Sequence, residues 1–132
     1  MAAWQFDLYV VYSDARSQGL PSEGWEPSPL PLHLAYSFQK ELAYYMGPPW
    51  QMLENWLVFG PENGSRIDIL FELDKGASVS FRCDVRDEAP QFLVLIVDIC
   101  RFHGCQFFSP NTREFIRPDL ELVLGAIRRN HG

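Results

Sequence analysis

What the chain lacks narrows it first. It has no basic excess: 11 Lys and Arg stand against 17 Asp and Glu, a formal charge of −6. Binding to a nucleic-acid backbone, which draws on counterion release by cations, is therefore not expected. The longest apolar run is six residues, Phe92 to Val97, whereas a bilayer takes about twenty, so no segment reads as membrane-spanning. The opening Met1-Ala2-Ala3-Trp4-Gln5-Phe6-Asp7 has no basic stretch followed by an apolar one, which argues against a secretory leader. Cysteine is scarce and odd in number: Cys83, Cys100 and Cys105 suit reduced thiols in a cytoplasm better than a disulfide framework. G-x-S-x-G, the phosphate-cradling loop, G-x-G-x-x-G and H-E-x-x-H are all missing, so hydrolase, nucleotide-binding and zincin chemistry have no motif behind them.

What is there fits one domain spanning residues 1–132, long enough to bury a core without staples. Hydrophobic residues make up 47% and charged residues 21%, which excludes disorder across the whole chain. The excess lies in aromatics: four Trp, five Tyr and ten Phe, more than one small core readily holds.

Phe6, Leu8, Val10 and Tyr12 alternate with Asp7, Tyr9 and Val11, the period of a central strand. Ser13 to Pro31 loses all periodicity, and Pro21, Pro27, Pro29 and Pro31 with Gly19 and Gly24 make it a long Pro-rich loop carrying Trp25. His33 to Met46 places Leu34, Phe38, Leu42 and Tyr45 at helical spacing before Gly47-Pro48-Pro49 stops it. Trp56 to Phe59, Arg66 to Leu73 and Ser78 to Val85 read as successive antiparallel strands. A helix from Ala89 to His103 buries Phe92, Leu95, Ile96, Ile99 and Cys100. Cys105 to Ser109 and Phe115-Ile116 are short strands, and Pro118 opens a last helix with Leu120, Val123, Leu124 and Ile127 inward. The expected fold class is α+β, an antiparallel sheet with helices on one face: a ferredoxin-like βαββαβ core plus an extra C-terminal helix.

Three clusters are candidates for function. Cys100, His103 and Cys105 bring thiols and an imidazole together, but a structural zinc needs four ligands, so buried packing is the preferred reading and neither metal nor cofactor is expected. On the hairpin strands Asp68, Glu72 and Asp84 alternate with the apolar set, giving an acidic margin suited to a basic partner. Tyr44, Tyr45, Trp50 and Trp56 crowd one segment, and a rigid Pro-Pro presenting Trp50 has the anatomy of an interface anchor. Trp25, Trp50, Asp68, Glu72 and Asp84 are the candidate partner-binding residues; no catalytic residue is singled out.

Arg66-Ile67-Asp68-Ile69-Leu70-Phe71-Glu72-Leu73, Ser80-Phe81-Arg82-Cys83-Asp84 and the apolar helix ending at Cys105, with Ile116-Arg117-Pro118 downstream, resemble small acidic bacterial immunity proteins of polymorphic-toxin and contact-inhibition systems. The resemblance covers Arg66 to Ile127. It implies a cytoplasmic, non-catalytic inhibitor that binds the basic active-site surface of one toxin domain. Two other readings stand beside it: a small-molecule or enzymatic α+β domain with a pocket under the Pro-rich loop, and a homodimeric assembly subunit burying its spare aromatics.

Overall fold

Alternation on the first strand organises the molecule. Phe6, Leu8 and Val10 are buried on one side of β1 (Gln5–Tyr12), while Gln5, Asp7 and Tyr9 on the other are only half-buried. In the computed structural model, which describes residues 5–12, 28–72, 74–86 and 91–131, β1 lies inside a sheet with partners on both sides. The chain continues through α1 (Leu32–Met46), β2 (Trp50–Leu53), β3 (Trp56–Phe59), β4 (Arg66–Glu72), β5 (Gly76–Asp84), α2 (Gln91–Phe102), β6 (Cys105–Ser109), β7 (Glu114–Ile116) and α3 (Leu120–His131). All neighbouring strands pair antiparallel, in the order β2-β3-β4-β5-β1-β6-β7.

The α+β class and the antiparallel sheet are as expected, but the expected ferredoxin-like βαββαβ topology is not matched, because β2 and β3 stand between α1 and β4 and β7 follows β6. A β2–β3 meander forms one edge and β7 the other, making seven strands among the described residues. The physical reason lies in the turns. Gly47, at φ 86, ends α1 with its N–H on the Ala43 carbonyl, and Pro48-Pro49 hold the next residues extended. Trp50 then leads β2 back against β3 through the turn at Glu54 and Asn55.

One hydrophobic cluster joins the inward side of the sheet to α1, α2 and α3. Phe6, Leu8, Ile67, Ile69, Val79, Phe81 and Phe107 meet Leu34, Phe38 and Leu42 of α1, Ile96, Val97 and Cys100 of α2, and Val123 and Ala126 of α3. Phe81 is central, edge-on to Phe107 at 5.3 Å and to Phe92 at 6.0 Å. Burying such a side chain contributes about 1.5–3 kcal/mol. The helical stripes differ in detail from the expected ones: Tyr45 is 63% exposed, and α2 buries Leu93 and Val97 while Phe92 and Leu95 are only half-buried. A third helical departure is the start of α3, where Asp119 accepts from the Glu121 and Leu122 N–H groups at 2.9 and 3.3 Å and so caps the helix.

The Pro-rich segment is described only from Ser28 onward, so Trp25 lies outside the described residues. Its end is pinned to β5: Leu30 and Ala77 exchange both backbone hydrogen bonds, at 2.7 and 2.9 Å, and Leu30 is buried. The close approach needs Gly76, whose φ is 124 and where a Cβ atom would stand 1.9 Å from the Leu30 carbonyl oxygen.

Candidate functional site

With the helices on one side, the other side of the sheet carries a continuous row of facing residues. Register aligns Trp50 with Val58, Val58 with Asp68, Asp68 with Ser80, Ser80 with Tyr9, Tyr9 with Phe108 and Phe108 with Phe115. One residue from each strand thus points to the same face, with aromatic rings at both ends and a polar middle.

A trough of about 740 Å³ lies on this face, lined by Tyr9, Trp56, Leu70 and Phe108 together with Asp68, Glu72, Ser78, Ser80, Lys75 and Arg113. Ser28 and Pro29, the described end of the Pro-rich segment, also line it. Arg113 sits with its guanidinium 5.9 Å from the centre of the Phe108 ring, and its φ of 55 belongs to the turn between β6 and β7.

Beside the middle of the row, on the same face, is an ion pair whose guanidinium is buried. Arg66 is 6% exposed; its Nε lies 3.0 Å from Asp68 Oδ1, Nη2 donates to Oδ2 at 3.1 Å and Nη1 donates to the Glu62 carbonyl at 3.0 Å. Trp56 Nε1–H donates to the same Oδ2 at 2.8 Å. Arg82, directly opposite Arg66 across the β4–β5 ladder, is held more loosely, its Nε 4.0 Å from Asp7 Oδ1. Asp7 in turn accepts from the Gln5 amide at 2.9 Å.

The candidate residues fall on this frame unevenly. Asp68, Glu72 and Asp84 do share the helix-free face, and Asp68 and Glu72 line the trough. Asp84 stands apart from it, paired with Arg86 through Oδ1 at 2.9 Å and Oδ2 at 2.8 Å, and these hydrogen bonds hold its carboxyl below the usual carboxylate range. Trp50 occupies the outermost strand and donates Nε1–H to the Gly60 carbonyl at 2.7 Å. The margin is therefore not a row of free acids: Asp68 and Asp84 each face an arginine, and Lys75 and Arg113 line the trough beside Glu72.

Sequence reasoning missed Phe108 and Arg113 as lining residues, and it grouped Trp56 with Tyr44, Tyr45 and Trp50 rather than with this face. Trp56, Leu70 and Phe108 carried the signal of strand parity, since register places them on the same side as Asp68 and Tyr9. Arg113 carried none.

In the thiol and imidazole cluster at the end of α2 the Cys105 thiol donates to the His103 carbonyl at 3.8 Å, while the imidazole is engaged by other residues. His103 Nε2 bonds Glu41 Oε2 of α1, and its ring packs 5.3 Å from Phe38. Burial pushes the Cys100 thiol well above its ordinary range and Cys105 up to about 11. Among the described residues no three His, Cys, Asp or Glu side chains form a metal-holding group, and no helix among them is long and apolar enough to cross a membrane.

No family model matches the chain, and neither a curated protein nor a solved structure does.

Proposed function

We propose that the protein is a non-catalytic inhibitor that seats part of a partner protein in the trough on its helix-free sheet face, as an immunity protein does with its cognate toxin domain. The observation that carries this reading is the trough itself: aromatic and aliphatic walls around a set of polar groups. Asp68 is spent on Arg66 and Trp56, which favours a rigid recognition surface over a reactive centre. Electrostatic attraction to a basic toxin surface rests on the whole chain rather than on the trough. Asp14, Glu23, Glu26, Asp87 and Glu88 stand against Arg16 in residues 13–27 and 87–90, a net −4 of the −6 total. A cytoplasmic setting in a bacterium goes with this reading.

The test is titration calorimetry against the C-terminal domain encoded by the adjacent reading frame. A tight complex is expected, weakened about a hundredfold by Ser80→Trp, which fills the trough. Absence of a complex, or a complex indifferent to Ser80→Trp in a variant that still folds, refutes the proposal. The size of the trough favours one second reading, since about 300–1,000 Å³ is the range of small-ligand sites. A small molecule that shifts the resonances of Tyr9, Trp56 and Phe108 while no protein partner binds is its signature.

A further inference from the structure

The helical layer carries a second surface that the sheet-face reading does not use. Helix α2 is apolar over more of its circumference than the sheet can cover. Leu93, Ile96, Val97 and Cys100 are buried, and Val94, Leu95 and Phe102 are left toward α1. There they form a groove of about 610 Å³ with Glu41, Tyr45 and Asp98. Phe102 is 80% exposed and Tyr45 63%, and Tyr44 beside it is 82% exposed, in edge contact with Tyr45 at 4.9 Å. Clustered exposure of large apolar side chains on this scale marks an interaction site rather than ordinary surface.

The groove is held in shape. His103 follows Phe102, meets its ring edge-on at 5.0 Å, packs against buried Phe38 and bonds Glu41, so the end of α2 is fastened to α1 beside the exposed rings. Arg101 is drawn the other way, donating to the Pro118 carbonyl at 3.2 and 2.9 Å and reaching Asp98 only at 3.7 Å. Among the described residues lining the groove none is Lys or Arg, whereas Glu41 and Asp98 bring carboxylates from its two walls.

We infer that this groove docks an amphipathic, basic helix of a partner protein. A helix laid between two helices extends the existing layer by ridge-and-groove packing. Its apolar face meets Leu95, Tyr45 and Phe102, and Lys or Arg residues on its flanks meet Glu41 and Asp98. Charge decides against a second copy of this chain. A symmetric pairing would bring a second Glu41 and a second Asp98 into the same interface, with no described Lys or Arg lining it, between two molecules each carrying −6. This surface is independent of the trough, on the opposite side of the sheet.

The probe is a synthetic Leu/Lys amphipathic helix of about eighteen residues, five turns, compared with a Leu/Glu helix of the same pattern by backbone amide NMR at low salt. The Leu/Lys peptide is expected to shift residues 41–45 and 91–103 and to bind about tenfold or more tightly than the Leu/Glu peptide. The double variant Tyr45→Ser, Phe102→Ser is expected to lose that binding with its thermal melt retained, because both side chains are exposed, while Ser80→Trp leaves it intact. Equal binding of the two peptides, shifts confined to the sheet face, or a peptide-free dimer through Tyr45 and Phe102 each overturns the inference.

Discussion

The indole N–H of Trp56 on β3 donates to Oδ2 of Asp68 on β4 at 2.8 Å, and the same oxygen receives Nη2 of buried Arg66 at 3.1 Å. A carboxylate that reads from sequence as part of an acidic binding margin is thus the counter-ion of a guanidinium buried on the same sheet face. Its two roles, shaping the trough and neutralising Arg66, cannot be separated by deleting it.

Asp68→Ala is therefore expected to destabilise the protein by about 3 kcal/mol, because removing one partner leaves a buried charge unpaired. Replacing both, Arg66→Met with Asp68→Leu, is expected to recover most of that loss. Urea unfolding of the single and double variants reads both values. A single variant as stable as the parent shows that the pair contributes nothing.

Gly76→Ala is expected to cost several kcal/mol. The new methyl would overlap the Leu30 carbonyl at 1.9 Å in a backbone conformation, φ 124, that side chains rarely adopt. Gly104→Ala provides the contrast: φ is 70 but nothing lies within 4 Å, so only the left-handed backbone penalty of about 1–2 kcal/mol remains. Equal losses in the two would mean that the Leu30 contact does not matter.

Alkali should weaken the fold through Cys105. Its native thiol keeps the proton up to about 11, while an unfolded thiol titrates near about 8.5. Between those values the native state binds more protons, so stability falls as pH rises from about 8.5 towards 11. Comparing the pH dependence of unfolding in the parent and in Cys105→Ala isolates this contribution, and identical slopes would remove it.

The Asp84–Arg86 pair acts at the other end of the scale. The Arg86 hydrogen bonds lower the Asp84 pKa, so the contribution of the pair is present above about pH 4, where the unfolded carboxyl is ionised, and is lost as pH falls through the depressed native value. Arg86→Gln is expected to raise the Asp84 titration midpoint in carboxyl-detected NMR. A midpoint that does not move would assign the depression to another group.

Much of the fold was legible because it is written in local periods. The alternation of Phe6, Leu8 and Val10, the spacing of Leu34, Phe38 and Leu42, and the stop at Gly47 each depend on neighbours a few residues away. β2 escaped for the same reason in reverse. Trp50-Gln51-Met52-Leu53 is four residues with no β-branched member, and its pairing with β3 includes a register shift between Gln51 and Leu53. The aromatic surplus was visible as a number but not as a place. Trp50 and Trp56 close hydrogen bonds to Gly60 and Asp68, while Tyr44, Tyr45 and Phe102 remain at the surface.

Sequence by itself determined the α+β composition, the order of most elements and the face on which Asp68, Glu72 and Asp84 lie, because side-chain parity along a strand is fixed by the pleat. Tertiary structure decided the seven-stranded order, the row from Trp50 to Phe115 and the long-range charge pairs, such as Arg82 with Asp7 and His103 with Glu41. Those follow from contacts between residues distant in the chain: Arg66 opposite Arg82, Ser80 opposite Tyr9, His103 against Glu41. A carboxylate in a sequence is an available charge. Whether it remains one depends on which guanidinium the fold brings beside it.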